Sequence, residues 1–450
     1  MRRPAAFAAR LPLYTLDLVR RYWAPLLCVW LVGDIAYRLL LRGMAAAAAI
    51  EPMLGYLALG LLLLVQLATY IVMFHLLRPA LPTVDAEYRR VRAGVLRRTA
   101  ERGNAVLAER TIVDAIAMAI LPFLIFYSAW DLYVEEYRKL TIASVNQEGL
   151  DVLLDMGAID KLGPMVLIAL AAFGLRALCE HFYDKNDGKV LGLATALFEA
   201  TWMFLGTFTV VAAFTDFWKW AKARAAWAAV QNQIDGAVAW VGAQLGVDLQ
   251  DLLLQAYRTM GSTWAIFKDG FLQPLVWLTI TAVVFGAQMD RYSGLFRGNG
   301  RTARLERALT SAKGPIAAVR GWLRKDAGDK YIPFINAFKF ILSVSPVFYL
   351  SFSLYYVLVL LGTEWLERGV YLFLGPADWH LWFPWLEPVG VVSRLLQDLL
   401  RICLLAAAFE LILFKVGGES TGRRARRAAR PPSAPAPPAP PAPPPSAPVR

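Results

Sequence analysis

The chain has little of what most site chemistry requires. Its 450 residues include three histidines and three cysteines. Cys28, Cys179 and Cys403 each fall within an apolar run, where a thiol behaves as a small hydrophobe, so neither a disulfide framework nor zinc spacing is present. His75 and His181 stand alone without flanking ligands, and His380 sits beside Trp379, so no haem, metal or other cofactor is expected. The signatures H-E-x-x-H, G-x-S-x-G and G-x-x-x-x-G-K-[ST] are all missing, which removes the familiar zinc-protease, serine-hydrolase and P-loop classes. "YDKNDGK", 183–189, has its glycine one position early for a calcium loop and no closing glutamate, so it reads as a tight turn. Catalysis is not expected.

Charge is scarce as well. Charged residues make up 18% of the chain and hydrophobic ones 58%, against about 25% charged in an ordinary soluble domain. The apolar residues are concentrated in long runs, such as Met53–Leu77 and Ile112–Val134. Such runs exceed the ~20 helical residues needed to cross ~30 Å of hydrocarbon. Eight segments qualify, at 22–42, 53–77, 112–134, 163–182, 191–217, 271–289, 334–362 and 390–416. The reading is an all-α, polytopic membrane bundle. Asp34, Arg38 and Arg42 spoil the apolar core of a cleavable signal peptide, so the first segment is read as a retained anchor.

The net charge of +12 invites a nucleic-acid reading, but the distribution of the basic residues argues against it. Loop 78–111 has eight Lys/Arg against four Asp/Glu, and loop 290–333 has ten against four. Both termini are also basic, whereas loops 135–162 and 363–389 are acidic. With eight spans, every basic segment falls on one side, which the positive-inside rule makes cytoplasmic. Anionic lipid is the expected partner of these segments, alongside the bilayer itself. The alanine- and arginine-rich composition suggests a bacterial inner membrane.

Several residues recur at a spacing of 224, namely Pro122 and Pro346, Leu162 and Leu386, Pro164 and Pro388, and Cys179 and Cys403. This predicts a duplication of four spans into eight, with a parallel pseudo-twofold relation. The units are then a basic segment 1–21, a first repeat 22–185, a second repeat 186–417 and a tail 418–450. Within the second repeat, 218–270 carries the stripe Trp227, Val230, Ile234, Val238 and Val241, which predicts an outer helical hairpin. The tail holds eleven prolines in its last twenty residues and reads as extended, disordered polyproline behind a polybasic run. The cytoplasmic helices and this tail are also candidate surfaces for protein partners.

Charge inside a span costs at least ~2.5–3.5 kcal/mol on insertion scales and therefore needs a partner, a neutral form or water. Arg394, Asp398 and Arg401 follow i, i+4, i+7 and form a polar stripe on the outer half of the last span. Glu410 lies about 120° away from that stripe, and Glu199 has no cation at helical spacing. Arg176 lies at a similar depth, which makes Glu199, Glu410 and Arg176 a candidate ion or solute site between the repeats. Two functions follow. One is a transporter or channel for an ion or small polar solute. The other is a non-catalytic membrane subunit of a larger envelope assembly.

Overall fold

A computed structural model describes residues 10–50, 52–86, 88–89, 132–149, 162–186, 189–246, 248–286, 346–376 and 378–428, with isolated positions within 119–130 and 337–341. The described residues are all-α. Helix α1 runs Arg10–Ile50, α2 Pro52–Leu77, α3 Leu132–Glu148, α4 Leu162–Asn186 and α5 Lys189–Lys222. Then come α6 (Ala225–Leu245), α7 (Leu249–Phe267), α8 (Gln273–Gly286), α9 (Pro346–Leu374) and α10 (Trp379–Ala428). The long apolar runs favour helix.

Three described helices are long and apolar enough to cross a membrane, at Arg10–Ile50, Leu59–Ala80 and Pro346–Leu374. Among the described residues the count is thus three, against the eight expected from the whole sequence. The segment at 163–182 yields only a shorter apolar stretch, Val166–Cys179. Arg401, Glu410 and Lys415 interrupt the apolar part of α10, and α8 has 14 residues. Most of 112–134 and of 334–345 lies outside the described residues.

Two helices, α6 and α7, lie within 218–270. Gly246, at φ 65°, ends α6 in the left-handed conformation that glycine adopts without strain. Asp248 then caps α7, accepting from the backbone N–H groups of Gln250 and Asp251 at 3.1 and 3.3 Å. A π-helical turn, Lys268–Leu272, joins α7 to α8. Within that turn the carbonyls of Gly270 and Phe271 accept from Ser353 (3.0 Å) and Tyr349 of α9. The wider turn thus offers main-chain acceptors to a neighbouring helix.

Helix α10 is the axis of the core. Every residue from Arg401 to Glu410 is buried, and α10 packs against α1, α2, α8 and α9. It begins in what the sequence suggested was loop 363–389, with Pro384 and Pro388 inside it, and continues through the basic run to Ala428. The remaining Pro/Ala-rich tail lies outside the described residues. Helix pairing departs from a simple twofold repeat. Helix α1 packs along α2, but α5 and α8, which the duplication makes their equivalents, share no comparable contact.

Two glycines permit close helix approach. A Cβ on Gly60 would sit 2.7 Å from Thr201 Oγ1 and 2.9 Å from the Thr201 backbone, whereas a Cβ on Gly33 would meet only the Thr69 side chain, 2.4 Å from its Oγ1. We expect Gly60→Ala and Gly33→Ala each to destabilise the protein by about 1–3 kcal/mol, the usual range for overpacking. Thermal unfolding of double variants separates the two sites. Thr69→Ala largely rescues Gly33→Ala, but Thr201→Ala does not rescue Gly60→Ala, because there the clash is with main chain.

Candidate functional site

The three residues grouped from the sequence do not form one site. Arg176 on α4 and Glu199 on α5 do meet, with Nε and Oε2 3.9 Å apart and both side chains buried. Glu410 lies elsewhere. Its carboxylate accepts from the backbone N–H groups of Thr83 (2.7 Å) and Val84 (3.1 Å). These belong to a helical turn that starts at Pro82. The first N–H groups of such a turn lack partners within the helix, and a carboxylate there satisfies them and complements the local dipole. The glutamate inside "FELILF" is therefore a helix cap supplied from a distance.

The polar stripe behaves differently. Asp398 and Arg394 line a cavity of about 570 Å³ bounded by α1, α2, α3 and α10. Asp34 and Arg38 of α1, Glu135 and Lys139 of α3, and Glu387 of α10 also face it. At its floor, Asp398 accepts from Trp30 Nε1 at 2.8 Å and from Arg401 Nη2 at 2.6 Å. Arg401 donates also to the Tyr70 hydroxyl at 3.0 Å, and its guanidinium carbon lies 4.5 Å from the centre of the Trp277 ring. Tyr70 in turn receives Gln66 Nε2 at 3.4 Å, and Gln66 Oε1 accepts from the Tyr127 hydroxyl. The network joins α1, α2, α8 and α10 through one arginine. Charge-assisted hydrogen bonds and a stacked aromatic face are what a guanidinium requires away from water.

The mouth is held by a second set of charges. Arg38 bridges Asp34 at 2.6 Å and Glu387 at 2.7 Å, and Arg394 reaches the same Glu387 oxygen at 3.1 Å. This ties α1 to the N-terminal part of α10. Partial burial works to raise the Glu387 pKa, but the hydrogen bond from Arg38 and the charges of Arg394 and Arg38 prevail and hold it below the ordinary carboxylate range. The sign follows directly. A depressed carboxylate pKa supports the contact above the ordinary range and loses it as pH falls below the shifted value. Glu387 is 62% exposed in its side chain, so water and salt weaken the tie. On the opposite wall, Glu136 accepts from Tyr37 and from Lys139, the latter at 3.0 Å, and fixes α3 against α1.

Sequence reasoning found the stripe but missed its partners Trp30, Gln66, Tyr70 and Trp277. Gln66 and Tyr70, four apart within an apolar run, carried a signal that two polar groups share one helix face. No group of three or more potential metal ligands occurs among the described residues. No protein-family model matches the chain, and searches of curated proteins and of solved structures give no match.

The two polar ends of the buried α10 segment have different consequences when altered. We expect Glu410→Ala to lower stability by about 1–3 kcal/mol, since it leaves two main-chain donors without their acceptor. Glu410→Gln, which keeps one acceptor oxygen, loses less. Chemical denaturation of the two variants in detergent orders them. Equal stability of wild type and Glu410→Ala would contradict the capping role.

Proposed function

We propose that the chain is a multi-pass membrane protein whose charged cavity admits a small polar solute from the outer side for passage across the bilayer. The observation that carries this reading is the floor of the cavity. Asp398 and Arg401 sit within two turns of the middle of the 390–416 segment, yet Asp398 faces a cavity of about 570 Å³. A charged wall reaching that depth has no use in anchoring a helix, and intramembrane ionisable groups commonly mark a solute or ion path. The positive-inside pattern orients the mouth outward, because 363–389 and 135–162 are the acidic segments. Eight spans, a 4+4 repeat and a bacterial inner membrane remain part of the proposal and rest on the sequence pattern.

A second reading is a membrane subunit of an envelope assembly. It is favoured by the hairpin, where Trp240, Tyr257, Met260, Trp264 and Ile266 are 59–75% exposed. Apolar exposure on that scale marks contact with another protein or with lipid.

Access to the cavity discriminates between them. Ala143 lines the cavity, and its replacement by cysteine in a background lacking Cys28, Cys179 and Cys403 supplies a handle. We expect a bulky, membrane-impermeant thiol reagent to label Ala143→Cys from the outer face of oriented vesicles and to abolish solute uptake, while the same reagent enclosed inside is inert. Uptake that survives complete labelling would remove the cavity from the path and favour the subunit reading.

A further inference from the structure

Three buried donor groups gather around Arg401 without an acceptor. Arg401 Nε, Trp277 Nε1 and the Tyr356 hydroxyl have no hydrogen-bond partner, although these residues are only 9%, 3% and 1% exposed. Tyr356 lies beside the guanidinium, within reach of a loose side-chain hydrogen bond from it, but its hydroxyl has no well-formed partner. Trp277 offers its ring face to the same guanidinium. The Arg401 and Trp277 groups can only donate, and the Tyr356 hydroxyl can donate or accept. Buried polar groups rarely stay unpaired, and leaving one so costs about 1–3 kcal/mol. The surroundings of Arg401 thus suit an oxygen acceptor additional to Asp398.

The wall of the cavity separates that acceptor position from the open space. Asp398, Tyr70 and Trp30 line the cavity; Arg401, Tyr356 and Trp277 stand behind them. A solute reaches the guanidinium only where Asp398 gives way. The pair as it stands is neutral, one carboxylate against one guanidinium. Adding an anion would leave an excess negative charge in a low-dielectric setting, which is expensive. A proton on Asp398 removes that excess and at the same time removes the charge that holds Asp398 to Arg401.

We infer that the solute is a monoanion of the carboxylate class and that one proton enters with it, the anion taking the place of Asp398 on Arg401. This rests on the cavity being a solute site. In the exchange, a proton taken up from the bulk solution and relayed by water in the cavity moves to an Asp398 carboxylate oxygen. The Asp398–Arg401 ion pair breaks and an anion–Arg401 pair forms. The total charge stays zero. A guanidinium suits such a ligand because its planar donors match a carboxylate edge. The other titratable groups facing the pair are Tyr70, Tyr127 and Tyr356, phenols whose ordinary pKa of ~10 leaves them neutral near pH 7. The acids and bases of α1 and α3, Asp34 with Arg38 and Glu136 with Lys139, are paired within the wall. Glu135 pairs with Arg138, and Glu387 with Arg394 at the mouth.

The test is calorimetric titration of the full chain in lipid nanodiscs with benzoate, benzamide and benzylamine, each in two buffers of different protonation enthalpy. Protein-free discs correct for partition into lipid. Benzoate is expected to bind with uptake of about one proton, and its affinity rises by up to about tenfold per unit fall in pH. The amide and the amine do not compete. Asp398→Asn binds benzoate without proton uptake and without the pH dependence, and Arg401→Gln does not bind it. Proton uptake by the wild type decides the matter even where a variant folds poorly. Benzoate binding without proton uptake overturns the coupling. Binding of the amide or amine but not the acid overturns the solute class and leaves the cavity reading intact. Binding of none of the three overturns both.

Discussion

The fold depends on ten consecutive buried residues of α10, "RICLLAAAFE", with a charged group at each end. Neither charge reaches water, so each must be satisfied by the protein. Arg401 is met by Asp398, Tyr70 and the Trp277 face. Glu410 is met by two main-chain donors at 83 and 84. Between them, Ala406, Ala407 and Ala408 are all buried, and such small side chains let neighbouring helices approach closely, as in other membrane bundles. The two polar anchors fix the register of α10 along its axis. A slip of one turn would move it ~5.4 Å and strand both charges.

Aromatic layers transmit that register to the rest of the core. Tyr70 and Trp277 pack edge to face at 5.5 Å, and one turn along α2, Phe74 packs on Phe285, which stacks on Phe409 of α10 at 5.5 Å. Rings in such contact have few alternative arrangements. The floor of the cavity is consequently stiff. Its mouth is not built that way. There the ties are the half-exposed pairs of Arg38, Glu387 and Arg394, next to Pro384 and Pro388, which each remove a main-chain bond from α10.

Much of this was legible in the residues, for identifiable reasons. The all-α class of the described residues, and their helices along the described apolar runs, follow from composition and length. The helices α6 and α7 accord with the stripe of apolar residues in 218–270. The stripe of Arg394, Asp398 and Arg401 followed from helical spacing, because residues on one helix share a face whatever the tertiary fold. The partners of that stripe did not follow, since Trp30 and Tyr70 lie more than 300 positions away in sequence. Glu410 was grouped with Arg176 and Glu199 by depth alone. Depth along a helix says nothing about which neighbour faces it, and the true partners are main-chain N–H groups, which no residue type announces. The start of α10 was obscured by two prolines, which read as loop but are accommodated within the helix.

Arg401 and Glu410 differ in a way that bears on what each is for. Glu410 spends its carboxylate on donors that would otherwise be orphaned, and it belongs to the architecture. The Asp398–Arg401 pair also fixes register, but well-packed apolar residues in place of a buried ion pair are often as stable or more so, so stability alone does not call for an ion pair there. The arginine also brings more donors than its partners use, and tryptophan and tyrosine add two further donors beside it. Surplus donors behind a removable carboxylate are costly for a structural element and useful for a binding one. The same helix therefore carries one charge whose acceptors are used on main-chain donors and, nine residues away, one whose Nε has no hydrogen-bond partner.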